Sequence, residues 1–151
     1  MPHLLSSDFV DKVLLEIENL IPGYMENPID KNIAEGNVAV CMIDETGNIY
    51  GKMYGENRAR ARQSFKIAST KAMQVWLTGT KTGEYERQVF TKEIAENAHG
   101  IEAPELIGWE GGQPVKLKNG DIISVGFSGF RGIIDLEIMQ RAIKTVEFSD
   151  H

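Results

Sequence analysis

The segment from Gly111 to Gly129 constrains the fold most, because it has the features of a β-hairpin bounded by glycines. Two glycines precede Pro114, and a Gly-Phe-Ser-Gly run closes the segment. The pair Asn119 and Gly120 separates two apolar runs and favours the two-residue reversal of a hairpin. Glycine also permits backbone conformations and close approaches that other residues avoid. The sequence therefore predicts an antiparallel hairpin with bare backbone beside a pocket.

Composition and charge exclude several classes of protein. The chain has 151 residues, a net charge of −6 and one cysteine. One cysteine excludes an intrachain disulfide and a multi-cysteine metal site, and a negative charge disfavours a nucleic-acid partner. No apolar run approaches the roughly 18 residues that span a bilayer, and the first residues lack the pattern of a signal peptide. We therefore expect one domain over residues 1–151, located in the cytoplasm, with no nucleic-acid or membrane partner.

Hydrophobic periodicity predicts the order of the helices and strands. Helices are predicted at 7–21, 58–77, around 85–94 and at 135–146, and strands at 38–43, 49–54 and in the hairpin. Pro22 and Gly23 are predicted to stop the first helix. The segment 28–36 is predicted to be a connection or a short extra turn. Because the strands arrive as two hairpins, the fold class expected is α+β, an antiparallel sheet covered by helices.

Four sequence segments carry a resemblance to a known family. They are VAVCMID at 38–44, SFKIASTKA at 64–72, GGQPV at 111–115 and GFSG at 126–129. In this order and spacing they resemble the GlcG/HbpS family of haem-binding-like proteins, which includes the C-terminal domain of the PduO type. The resemblance covers about 38–146. It implies a profilin-like three-layer sandwich, a homo-oligomer, and haem or another tetrapyrrole as the ligand.

His99 is the best-placed imidazole of the chain, because it precedes a glycine in the stretch that leads to Trp109. Histidine is a common axial ligand of haem iron, so His99 is the candidate metal ligand. The alternative is a solvated loop histidine. The resemblance implies an axial histidine from the N-terminal helix region, but residues 7–21 contain none and only His3 lies nearby.

Three arginines open the predicted long helix, where positive charge opposes the helix dipole. An anion at the helix start would offset this opposition, so Arg58 and Arg62 are candidates to bind a haem propionate or a small organic acid. Alternate helical positions point about 200° apart, so at most two of Arg58, Arg60 and Arg62 share a face. The alternative is that the arginines are solvated and pair with Glu45 or Glu56.

The other candidates combine a lysine with apolar walls and bare backbone. Lys71 is interpreted either as a contact to a ligand or to carbonyls near the sheet edge, or as a surface lysine. Trp109 and Phe127 are candidate walls for a flat ligand, with core packing as the alternative. At Gly112, the change Gly112→Val is expected to weaken ligand binding more than folding, because a branched side chain would cover the pocket.

The function predicted is binding of a small ligand between the long helix and the hairpin, with haem or another tetrapyrrole as the first candidate. The candidate ligand-binding residues are Arg58, Arg62, Lys71, His99, Trp109, Gly111, Gly112, Pro114 and Phe127. One alternative is an enzyme or enzyme accessory that binds a small organic acid through the arginines and the Gly-Gly loop. Another is a purely structural assembly module. Because GFSG lacks the spacing of a nucleophile elbow and no phosphate loop is present, no catalytic constellation emerges.

Overall fold

One four-stranded antiparallel sheet organises the fold, in the order β2-β1-β4-β3. The computed structural model describes residues 5–95, 98–101 and 108–149. The strands are β1 (Ala39–Ile43), β2 (Ile49–Met53), β3 (Gly112–Lys116) and β4 (Ile122–Ser128). The helices are α1 (Ser7–Tyr24), α2 (Pro28–Ala34), α3 (Arg58–Thr78), α4 (Thr82–Phe90) and α5 (Gly132–Ser149).

Helices cover both faces of this sheet, and strand β1 shows why. Its five residues are all buried, and successive side chains of a strand point to opposite faces. Val40 and Met42 join a core formed with α1 and α5. Cys41 and Ile43 pack with Ala72 of α3 on the other side. The predicted α+β sandwich of three layers, with a central buried strand, is confirmed.

Helix α3 lies unusually close to the sheet where it crosses Gly126 of β4. A Cβ atom at Gly126 would lie 2.1 Å from the carbonyl oxygen of Ala68 and 2.7 Å from the backbone nitrogen of Ala72. Both atoms belong to the helix backbone, so no side-chain rotation would relieve such a contact. The small buried residues of α3 and this glycine together set the spacing between helix and sheet.

Helix α1 extends past the proline that was predicted to stop it and ends at Tyr24. Pro22 occupies the last turn of α1. Two residues later, the side chain of Tyr24 is anchored to α5. The Tyr24 hydroxyl donates a hydrogen bond to Glu137 at 2.6 Å and accepts one from Arg141 at 2.9 Å. These bonds hold the final turn in helical geometry despite the lost backbone N–H of proline.

Three other elements differ from the sequence prediction, and one of them, α4, begins and ends earlier than the predicted 85–94. The segment after α1 contains a true helix, α2, in which Pro28 occupies the first turn and the side chain of Asn27 accepts from the backbone N–H of Ile29. Helix α5 begins at Gly132, earlier than its apolar periodicity indicated. No helix within the described residues is both long and apolar enough to cross a membrane.

Candidate functional site

A cleft of about 460 Å³ opens beside α3, and we call it the α3 cleft. Its far wall is the connection from β4 to α5 together with the start of α5. The residues just before β3 close a third side. The cleft is lined by Ile33, Arg60, Ser64, Ile67, Lys71, Trp109, Glu110, Ser128, Gly129, Phe130, Gly132, Ile133 and Asp135.

The α3 wall of the cleft is a single stripe of the helix. Arg60, Ser64, Ile67 and Lys71 succeed one another at intervals of four, three and four residues, which places them on one helical face. Arg60 and Lys71 are about 16 Å apart along the helix axis, at 1.5 Å per residue. The cleft therefore has one cation at each end of this wall.

Lys71 and Asp135 form a buried ion pair at the inner end of the stripe. Their side chains are only 2% and 3% exposed, and Nζ lies 3.6 Å from Oδ2. The Lys71 ammonium also donates to the carbonyl oxygen of Phe127 at 2.9 Å. The other oxygen of Asp135 accepts from the backbone N–H of Phe130 at 3.0 Å. The pair thus joins α3, the end of β4 and the first turn of α5.

Burial changes the proton affinity of both members of this pair. Desolvation raises the pKa of Asp135 to about 8, although the nearby Lys71 charge acts in the opposite direction. Desolvation likewise lowers the pKa of the Lys71 ammonium, against the effect of Asp135. Burial disfavours the charged form of both groups. Transfer of a proton from Lys71 to Asp135, which removes both charges, therefore costs less here than in water.

The glycine pair lies beside this ion pair, but its two members face different surroundings. Gly111 has a φ of +125°, and a Cβ there would lie 2.6 Å from Lys71 Nζ and 2.5 Å from the Phe127 carbonyl oxygen. At Gly112 a Cβ would lie 2.5 Å from Cγ2 of Thr82. The side chain that Gly112→Val adds would therefore meet packed residues, so this change is expected to cost folding as well as ligand binding.

Trp109 and Lys71 are the predicted residues whose side chains the structure brings to the α3 cleft. Trp109 is 67% exposed and forms part of the rim. Lys71 is buried, so its interpretation as a surface lysine is wrong. Arg58 and Arg62 are exposed on α3 and do not line the cleft. Arg60, between them in sequence, does line it.

The other predicted residues lie away from the cleft lining. Phe127 is fully buried in the core shared with α1 and α5, where its ring stacks on Phe130 with centroids 6.1 Å apart. Pro114 lies in the edge strand β3, opposite Ser124. His99 is exposed, and its Nδ1 lies 3.2 Å from the hydroxyl of the buried Tyr85. The structure thus places His99 against α4.

A second ion pair fixes the cleft wall opposite α3. Asp30 of α2 is buried and accepts hydrogen bonds from the Arg131 guanidinium at 2.9 and 3.2 Å and from its backbone N–H at 3.0 Å. Burial opposes ionisation, but the Arg131 donors and charge hold the pKa of Asp30 below its ordinary value. This clamp ties α2 to the β4–α5 connection.

Sequence reasoning missed Arg60, Asp135 and the clamp. Arg60 was detectable, because it shares a helical face with Lys71. Asp135 gave no comparable signal, since an acidic residue near a helix start is common for reasons of the helix dipole alone. No group of three or more histidine, cysteine, aspartate or glutamate side chains converges as a metal site within the described part of the chain.

Comparisons with known proteins agree with this architecture. The family model described as "Haem degrading protein HbpS-like" matches residues 29–144. No curated protein sequence matches the chain.

Solved structures share the fold at low sequence identity. Protein ORFY of Klebsiella pneumoniae is 19% identical, with a TM-score of 0.70 over 94% of this chain and 90% of that one. A double mutant of HbpS from Streptomyces reticuli is 17% identical, with a TM-score of 0.65 over 96% and 88%. A PduOC structure determined as a haem complex is 21% identical, with a TM-score of 0.63 over 94% of both chains.

Proposed function

The chain belongs to the HbpS-like family, and from this premise we propose that it binds haem or a related tetrapyrrole in the α3 cleft. The proposal includes a single domain that assembles with copies of itself in the cytoplasm. The observation that carries it is the cleft itself, an open space of about 460 Å³ whose lining mixes apolar and polar side chains and has a cation at its outer end. The similarity to the PduOC haem complex supports the same ligand class.

The residues of the cleft suit the ring and the carboxylates of such a ligand. Ile33, Ile67 and Trp109 offer apolar surface to a flat macrocycle. Arg60 is partly exposed at the outer end, where its guanidinium can bind a propionate by charge-assisted hydrogen bonds. It pairs there with Glu35 at 3.4 Å, a contact that solvent weakens.

The iron of haem finds no histidine, methionine, cysteine or tyrosine among the described residues that line the cleft. His99 lies outside this lining, against Tyr85 of α4, so it is proposed as the axial ligand only for a macrocycle that extends beyond the cleft to α4. When bound, haem supplies an iron centre whose reactivity depends on that ligand. The protein's own contribution is to exclude water from the ring and to hold its carboxylates.

The test is an absorption titration of the purified protein with haem, accompanied by thermal unfolding. We expect a saturable Soret shift and a higher melting temperature, because a ligand that binds only the native state stabilises it. Arg60→Ala should weaken binding about tenfold, since a hydrogen bond to a charged group contributes about 1.5 kcal/mol. Arg58→Ala is the matched control, an exposed arginine two positions away that does not line the cleft.

The outcomes of this titration distinguish the binding site, the axial ligand and the class of ligand. Equal weakening by Arg60→Ala and Arg58→Ala would place the ligand outside the α3 cleft. A Soret band unchanged by His99→Ala would remove His99 as the axial ligand. A titration without saturation or stabilisation would contradict haem binding. The alternative ligand would then be a small organic acid, which the cations Arg60 and Lys71 in the cleft favour and which thermal shifts with carboxylates would detect.

A further inference from the structure

The Lys71 side chain has the surroundings of a reactive amine. It is 2% exposed but belongs to the lining of an open cleft, and the Asp135 carboxylate lies 3.6 Å away. We propose that Lys71 forms imines with small aldehydes or ketones that enter the α3 cleft, with Asp135 as the proton carrier. This activity is separate from haem binding, so either proposal can fail without the other.

The buried pair is not explained by stability alone. Removing two charges from water costs several kcal/mol per ion, and apolar residues of similar size often replace such pairs without loss. Gly111 packs directly against the pair, since a Cβ there would lie 2.6 Å from Lys71 Nζ and 2.5 Å from the Phe127 carbonyl oxygen, so any larger residue would displace the amine. Nζ donates a hydrogen bond to the backbone carbonyl oxygen of Phe127 at 2.9 Å. A small carbonyl compound of similar polarity would suit the same amine.

The reaction balances within this pair. The Lys71 ammonium passes one proton to the Asp135 carboxylate, and the neutral amine forms a carbon–nitrogen bond to the carbonyl carbon as the C=O π pair moves to oxygen. A second proton then moves from nitrogen to that oxygen and gives a carbinolamine. Asp135 returns its proton to the hydroxyl, water leaves, and the nitrogen lone pair completes a protonated imine. No oxidant or further reactant is consumed.

Desolvation supports this reactivity, because it lowers the pKa of Lys71 and so raises the fraction of neutral amine at neutral pH. The other lysine of α3, Lys66, is exposed and lies one turn and one residue before Lys71. It is therefore an internal standard for ordinary amine reactivity.

The test traps imines in the intact protein with limiting acetaldehyde and sodium cyanoborohydride at pH 7, and locates the ethylated lysine by peptide mass spectrometry. We expect Lys71 to be labelled faster than Lys66, because burial lowers the pKa of the Lys71 ammonium and so raises its fraction of neutral amine. If Lys66 is labelled, and Lys71 is labelled at the same rate, more slowly or not at all, the proposal is overturned.

Variants separate the roles of the two residues. Asp135→Asn should slow labelling of Lys71 about 100-fold, the scale of a lost acid–base group, whereas Lys66→Met should leave that rate unchanged. An unchanged rate in Asp135→Asn would remove Asp135 from the reaction. If Asp135→Asn does not fold, as thermal unfolding would show, the comparison of Lys71 with Lys66 in the unaltered protein decides the proposal by itself.

Discussion

Lys71 and Asp135 are each tolerated in the interior because the other is present. The amine and the carboxylate form an ion pair at 3.6 Å, and each also makes one hydrogen bond to a backbone group, so the pair links three elements. Removing one member would leave a buried charge without compensation, which is far more costly than removing both. The energetic role of the pair can therefore be measured separately from its chemistry.

We expect Lys71→Met to destabilise the protein by about 3 kcal/mol at pH 8, as for other broken buried pairs. The loss should be smaller at pH 5. Burial raises the pKa of Asp135 above its unfolded value, so the folded state favours the protonated acid, and stability falls as the pH rises through the folded pKa. Urea unfolding at both pH values measures this difference.

The double variant Lys71→Met with Asp135→Asn is the control for this prediction. It should recover most of the lost stability and show no difference between pH 5 and pH 8 from this site. Lys66→Met should change stability by less than about 0.5 kcal/mol, as for an exposed position. A pH-independent loss in Lys71→Met would mean that Asp135 is not the group that titrates.

The sequence identified Lys71 as a candidate but could not identify its partner. The periodicity of a helix places Arg60 and Lys71 on one face of α3. The approach of Asp135 to Lys71, in contrast, depends on how α5 follows β4 in the tertiary structure. Likewise, the alternatives for Phe127 could not be separated by residue type, because an aromatic ring suits a core and a ligand wall equally. Burial decides between them, and burial is a property of the tertiary structure.

At the scale of elements, the position of α3 depends on the absence of side chains. Gly126 lets the helix backbone approach β4 so closely that no Cβ fits between them. Because α3 carries one wall of the cleft, this spacing also determines where Arg60 and Lys71 stand relative to the sheet.

We expect Gly126→Ala to lower the free energy of unfolding by about 3 kcal/mol, because overpacking against rigid backbone forces the helix to shift. Gly23→Ala is the matched control, since a Cβ at Gly23 in α1 would meet nothing within 4 Å. It should be neutral or stabilising by up to about 1 kcal/mol, the helix preference of alanine over glycine. Chemical denaturation of both variants makes the comparison, and equal stability would contradict the close contact at Gly126.

Most element types followed from the sequence, whereas helix α2 and some ends did not. Apolar periodicity correctly predicted helix α3, and uniform burial of β1 followed from a run that is apolar on both faces. The end of α1 was wrong because Pro22 breaks a helix only where nothing else holds the next turn. The hydrogen bonds of Tyr24 to α5 are tertiary contacts that local sequence does not encode.

For the whole molecule, the Asp30–Arg131 clamp ties the short helix α2 to the connection between β4 and α5. The depressed pKa of Asp30 means that the folded state favours its ionised form. Stability from this group is therefore present above the ordinary pKa of aspartate and is lost as the pH falls through the folded value.

We expect Asp30→Asn to lower stability by about 2 kcal/mol at pH 7, because hydrogen bonds to a charged group are lost. At pH 3 the variant and the parent protein should differ less, since the stability that comes from the lowered pKa of Asp30 declines as the pH falls below the ordinary pKa of aspartate. Urea unfolding at the two pH values tests this. Asp121→Asn, at an aspartate of the β3–β4 turn with only local side-chain partners, is the control. If Asp30→Asn lowers the free energy of unfolding equally at both pH values, the assignment of a charged Asp30 carboxylate is contradicted.

The edges of the sheet determine where a further strand could be added. Strands β2 and β3 lie at the two edges, and Pro114 in the middle of β3 lacks the N–H that an added strand would need. A continuous ladder cannot extend past that edge. Growth of the sheet by strand addition, whether orderly between copies or in aggregation, therefore loses a hydrogen bond at β3 that proline does not remove at β2.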